Sequence, residues 1–307
     1  MSEASPSTAD SAERAERAEG RATPPPSRSP FLEDLLAPGP LVAAELRPPP
    51  ANLSGPESVD AWIDFDHGVR RLLRAGRPLL FTDDAVGDRE EESLRMLTAS
   101  LTSPTDLGRV VPFLTCKHPL EYCRLFTRRA GAHGLGAVTV TGGDRHVGPP
   151  RCLPRSRDLR RDVRGQAPTL PLGAWVNPYR DPVEQVDLLL EAEHCADYFV
   201  TQIVSHHDPE PVEAFLAEAH RRGVETPGIF GVFLYRSPRR STLDRLSDFF
   251  PVPVEALRGE FASGASADEV CARTVRLLRT LGVDNVYLSN LRVREAEPRI
   301  RRIEARI

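Results

Sequence analysis

Lysine is almost missing from this chain. Lys117 is the single one among 40 basic residues, the rest being arginine, so imine chemistry has one position at which it could occur. The segment Leu234-Tyr235-Arg236-Ser237-Pro238 also lacks the glycines of a usual barrel phosphate site, which weakens an aldolase reading. Cysteine is sparse too. Cys116, Cys123, Cys152, Cys195 and Cys271 form an odd, scattered set without a CxxC pair, which excludes a disulfide framework and a thiolate zinc site and fits reduced thiols. No apolar run approaches transmembrane length, and no secretory h-region is present, so a soluble, cytoplasmic protein without membrane contact is expected. Residues Ser2 to Pro30 contain no large aliphatic or aromatic side chain. Such a stretch cannot bury anything, and 1–30 is expected to be a disordered tail ahead of a single domain over 31–307. The net charge of −4 is small and the arginines are dispersed, so no nucleic-acid footprint is implied.

What is present is a repeated alternation. Eight short apolar runs, Leu41–Leu46, Leu79–Asp83, Val110–Cys116, Ala137–Thr141, Leu170–Val176, Tyr198–Val204, Ile229–Leu234 and Asn285–Leu291, are each followed by a helical pattern or a polar loop. Strands this apolar are buried on both faces, and eight of them alternating with helices predict an α/β fold, a closed (β/α)₈ TIM barrel. Helical periodicity covers Val59–Ala75, Glu90–Leu101, Leu120–Ala132, Val183–His194, Pro211–Arg222 and Ala267–Leu281, with Ser266 and Asp208 as caps of the last two in reverse order. The basic, proline-containing stretch Gly148–Gln166 shows no period and is predicted to be an extended loop.

Barrel enzymes carry their chemistry at the C-terminal ends of the strands. Glu45 stands inside the apolar first strand, where desolvation disfavours its charged form and suits it to general acid work; an ion pair with Arg47 or another arginine is the equal alternative. Gly142-Gly143-Asp144 ends the fourth strand, where the glycines allow close backbone approach to a flat ligand and Asp144 can accept from a heterocycle; an Asp-capped tight turn is the plainer reading. Gln202 offers a donor and an acceptor on the sixth strand. Arg47, Arg145, Arg180, Arg236 and Arg292 follow five strands and together favour a ligand with carboxylates or phosphates, while singly each reads as a solvated rim residue. His206-His207-Asp208 invites a metal reading, but adjacent histidines on a strand or its exit are expected to point apart and no further ligand is spaced to match, so a solvent-facing or capping role is expected.

Taken in order, these segments resemble the methylenetetrahydrofolate reductase family. Its Phe-Glu-Phe-Phe-Pro-Pro motif is similar to Ala44-Glu45-Leu46-Arg47-Pro48-Pro49, its His-Leu-Thr-Cys to Phe113-Leu114-Thr115-Cys116, its Arg-Gly-Asp to Gly142-Gly143-Asp144 and its Ile-Thr-Gln to Val200-Thr201-Gln202. Thr82 matches a threonine near the end of the family's second strand, and Gly223–Ile229 resembles the approach to its seventh. The resemblance implies reduction of 5,10-methylenetetrahydrofolate to 5-methyltetrahydrofolate, with Glu45 as the acid that opens the methylene bridge and Asp144, Gln202 and Thr82 on the folate. The residues that hold flavin in the family are replaced by Phe113, Gly142, the shortened Asn177–Asp181 loop and about Glu191. Substrate-side groups are kept while flavin-side groups are lost, which resembles a short, atypical branch passing hydride directly from NADH or NADPH, with FAD absent and the dinucleotide near Arg145, Arg180 and Asn177. An FAD enzyme with a rearranged flavin site and a folate-binding barrel without turnover are the alternatives.

Overall fold

Eight parallel strands, each hydrogen-bonded to the next along the chain and the last to the first, close the predicted (β/α)₈ barrel. The computed structural model describes residues 29–50, 53–82, 107–144, 148–191 and 196–307. The segment 1–28, the predicted helix Glu90–Leu101 and Arg145 lie outside these. In chain order the elements are α1 (Pro30–Leu36), β1 (Leu41–Leu46), α2 (Gly55–Arg74), β2 (Leu79–Phe81), β3 (Val110–Thr115), α3 (Leu120–Ala132), β4 (Val138–Thr141), α4 (Ser156–Arg164) and β5 (Leu172–Val176). There follow α5 (Pro182–Leu190), β6 (Tyr198–Val204), α6 (Glu210–Arg221), β7 (Gly228–Phe233), α7 (Arg240–Ser247), α8 (Val254–Ala262), α9 (Ala267–Thr280), β8 (Asn285–Ser289) and α10 (Ala296–Glu304). No described helix is long and apolar enough to cross a membrane.

Alternation along each strand divides the core in two. One set of strand side chains, with Val42, Leu79, Leu114, Val140 and Val232 among them, packs outward against the helices. The other set fills the barrel: Ala43, Leu80, Val111, Phe113, Tyr198, Ile229 and Tyr287. Two buried tyrosines in this lumen are matched by glycines on the neighbouring strand, Gly173 beside Tyr198 and Gly231 beside Tyr287. A Cβ on Gly173 would lie 2.4 Å from the Tyr198 ring, and one on Gly231 2.4 Å from the Tyr287 hydroxyl. The bottom of the lumen is stoppered by α1. Ser29 Oγ caps this helix by accepting from the Leu32 amide at 3.1 Å, Pro30 presets its first turn, and Phe31 meets Tyr198 edge-on at 5.0 Å. The residues Ser29 and Pro30, taken with the tail in the sequence, are therefore cap and start of a core helix.

Two local expectations are corrected. The stretch Gly148–Gln166 contains α4, whose apolar face is only Leu159 and Val163 joined by a buried Arg160; with so few apolar residues the helical period does not show. Asp208 is not a cap, because α6 starts behind Pro209 and makes no side-chain capping bond, while Ser266 does cap α9 in a reciprocal pair with Glu269. The helices α1, α7, α8 and α10 carry too little apolar periodicity, or are too short, to stand out in the sequence.

Candidate active site at the strand ends

Glu45 is the last inward-facing residue of β1, two positions beyond the luminal Ala43, and it is 9% exposed. On the neighbouring strand β2, Leu80 faces the lumen and Thr82 is the next residue on that face. The Thr82 hydroxyl donates to Glu45 Oε1 at 2.6 Å, so the first two strands present one oriented carboxylate at the mouth. Below it, Tyr287 donates to the Thr201 carbonyl at 2.7 Å. Burial, and after it the nearby Glu45 charge, push the Tyr287 phenol well above its ordinary value.

That bond ends at an irregularity. The pairing of β6 with β7 slips between Val200 and Ile203, and Thr201 Oγ1 accepts from the Gly231 amide at 3.1 Å where the ladder is interrupted. Bulges of this kind re-aim side chains at functional sites. Gln202 sits on the bulge, its Oε1 accepting from the Ile203 amide at 2.9 Å and its Nε2 donating to the Phe249 carbonyl at 3.4 Å. Asp144 is exposed at the end of β4, past Gly143, whose φ of 66° explains the glycine there. Gly142 has a separate reason: a Cβ on it would come within 2.7 Å of the Arg151 guanidinium, which donates to the Gly143 carbonyl at 2.5 Å. At the end of β5, Asn177 Oδ1 accepts from the Tyr179 amide at 3.1 Å in a turn that leads to the exposed Arg180. Glu45 and Thr82 are thus in contact, while Gln202, Asp144, Asn177 and Arg180 stand at the ends of their own strands around the same mouth.

The positions likened to flavin ligands are engaged in other ways. Phe113 packs edge-to-face on Trp175 at 5.8 Å beneath the mouth. Glu191, at the end of α5, forms an ion pair with Arg157 of α4. Its charge is therefore compensated by that guanidinium.

At the ends of β7 and β8 a cavity of about 270 Å³ is lined by Tyr235, Arg236, Ser237, Asn290 and Arg292, among others. Asn290 adopts a left-handed backbone with φ 65°. Its amide bridges the two strands, donating to the Leu234 carbonyl at 2.9 Å and accepting from Arg236 at 3.0 Å. Burial first, then Arg292 and Arg299, depress the Arg236 guanidinium below its ordinary value. Arg236 and Arg292 both line the cavity and give its wall positive charge.

The His206-His207 pair departs from expectation. Both residues follow the end of β6 in a turn, where strand alternation no longer holds, and their rings lie 4.0 Å apart. Each Nε2 reaches one oxygen of Glu260 on α8 at 3.1 Å. Burial and the neighbouring His207 lower the His206 pKa. Burial works against the Glu260 charge but is outweighed by hydrogen bonds from Arg273 and His206, and its pKa falls. The partner missing from the sequence reading is 53 positions away from His207 along the chain, on a helix that no motif marks.

No family model matches the chain, and no curated protein matches it significantly. Among solved structures, an uncharacterized protein from Clostridium thermocellum that binds two copies of 5-methyl-5,6,7,8-tetrahydrofolic acid aligns over 89% of this chain and 96% of its own, at 16% identity and a TM-score of 0.58. The aminoacrylate-bound tryptophan synthase from M. tuberculosis aligns over 87% of this chain and 90% of its own, at 12% identity and a TM-score of 0.46. The likeness to the Clostridium thermocellum protein establishes a shared barrel fold.

Proposed function

We propose that this protein is a folate-binding barrel that reduces 5,10-methylenetetrahydrofolate to 5-methyltetrahydrofolate, taking hydride directly from NADH or NADPH. The observation that carries the reading is the Glu45 carboxylate, withdrawn from water at the mouth and aimed by the Thr82 hydroxyl. Binding a ligand has little need of such a group, whereas opening the methylene bridge needs an acid. In its protonated form, Glu45 delivers the carboxyl proton to the bridge nitrogen that departs, the bridge carbon becomes an iminium on the other nitrogen, and hydride from the nicotinamide completes the methyl group, leaving Glu45 as the carboxylate and the nicotinamide oxidised. Asp144 and Gln202 hold the pterin ring. The cationic wall formed by Arg236 and Arg292 suits the glutamyl carboxylates or a diphosphate.

Three further points support the proposal. The ordered motifs resemble the reductase family from Glu45 to Gln202; the Clostridium thermocellum protein of the same fold binds a methylated tetrahydrofolate; and Phe113 and Gly142, where the family places flavin ligands, are packed against Trp175 and Arg151. The test is the absorption spectrum of the purified protein together with its NADH oxidation. We expect a colourless protein that oxidises NADH only when methylenetetrahydrofolate is present, by a ternary-complex mechanism. Stoichiometric FAD, or oxidation of NADH by menadione without folate, would replace this reading with a flavin enzyme. Tight folate binding with no turnover would leave a binding protein.

A further inference from the structure

We propose that His206, His207 and Glu260 bind one divalent transition-metal ion of the zinc class, pinning α8 to the end of β6. Among the described residues this is the group of three such side chains whose ligand atoms all lie within 4.8 Å of one another. The turn that follows β6 is fixed by the Asp208 amide on the Ser205 carbonyl at 3.2 Å and the His207 amide on Ser205 Oγ at 3.3 Å. It brings both imidazoles to one side, 35° from parallel. Their Nε2 atoms converge on a single carboxylate, each 3.1 Å from one of its oxygens.

Those separations are close to what an ion requires. With bonds of roughly 2.0–2.2 Å, the donors of a tetrahedral zinc site stand about 3.3–3.5 Å apart; the His207 Nε2–Glu260 Oε2 pair is within a few tenths of an ångström of this, and all three ligand atoms lie within 4.8 Å of one another, so small side-chain rotations complete the set. The three side chains are 14%, 17% and 13% exposed, which limits competition from water. A surrounding shell is also in place. His206 Nδ1 lies 2.8 Å from the hydroxyl of the buried Thr274, and a proton held on that side turns the Nε2 lone pair toward the ion. Arg273 bonds Oε1 of Glu260, which leaves Oε2 for the metal. Two imidazoles and one carboxylate select zinc, cobalt, nickel or copper over magnesium and calcium, which prefer oxygen alone. Three protein ligands leave a fourth position for water or an exogenous ligand. Hydrogen bonds alone could hold the same three groups, and the experiment separates the two states.

The full-length protein, stripped with chelator, is titrated with Co²⁺ and then Zn²⁺. The expected result is one equivalent of Co²⁺ with visible d–d absorption, no thiolate-to-metal charge-transfer band, and displacement by Zn²⁺. The double variant His206→Ala, His207→Ala should bind at least 100-fold more weakly. Thr274→Val should keep the spectrum and lose roughly 10–100-fold in affinity, as expected for a residue that orients a ligand. If the double variant fails to fold, the zinc-edge X-ray absorption spectrum of the unmodified protein decides by counting two imidazole nitrogens. Absence of stoichiometric binding, unchanged affinity in the folded double variant, or thiolate bands that place the ion on cysteine would overturn the proposal.

Discussion

Glu45→Gln is expected to lower kcat by roughly 10²–10⁴-fold, the range of a lost general acid, with little change in the KM for folate. The substitution keeps the shape of the side chain, and its amide oxygen can still accept from Thr82, whose hydroxyl lies 2.6 Å from Glu45 Oε1. What disappears is the proton that departs with the bridge nitrogen. Steady-state kinetics on a variant with an unchanged melting curve check this. Near-normal turnover would remove Glu45 from the chemistry and leave it as a structural partner of Thr82. A change confined to KM would place it on the folate without a role in the proton transfer.

The second large effect belongs to the opposite end of the barrel. Phe31→Ala should destabilise the fold by about 3–5 kcal/mol, the cost of emptying a site that cannot collapse. Phe31 is fully buried, its ring rests on Tyr198, and its helix is tied down on two sides. Arg109 pairs with both oxygens of Asp34, at 2.5 and 3.0 Å, and the Asn285 amide donates to the Leu35 carbonyl at 3.1 Å. Set against the 5–15 kcal/mol of a typical domain, the loss is large. Denaturant unfolding measures it directly. Because the mouth is built from the other ends of the strands, activity well below the melting temperature should be retained. A loss under about 1 kcal/mol would mean that α1 lies on the barrel without belonging to its core.

The barrel was legible because its strands announce themselves. A parallel sheet covered by helices outside and packed inside leaves no continuous polar face, so eight short, predominantly apolar runs allowed few other architectures. The mouth was legible for a related reason: a carboxylate such as Glu45 has no place in an apolar run unless the strand ends there. What stayed hidden depended on pairing across the chain. Gly173 and Gly231 read as ordinary strand glycines, and only the rings of Tyr198 and Tyr287 explain them. The buried Arg160 disguised α4 as a polar loop. Extending alternation to the strand exit was wrong for His206 and His207, since beyond Val204 the chain turns and both rings fall on one side.

Lys117, at the exit of β3, is 4% exposed, with its amide on Thr115 Oγ1 at 3.2 Å. In a chain with no other ε-amine, this makes Lys117 a single side-chain label, told apart from the N-terminal α-amine by the peptide that carries it. An amine-acylating reagent should leave Lys117 untouched for as long as the segment following β3 stays closed, and should modify it at the rate at which that segment opens. Peptide mass spectrometry across a time course then reads one local opening rate, free of the overlapping signals that an ordinary lysine-rich surface produces. Ligands that fill the mouth should slow that reaction in proportion to their occupancy, which gives a binding assay that requires no turnover.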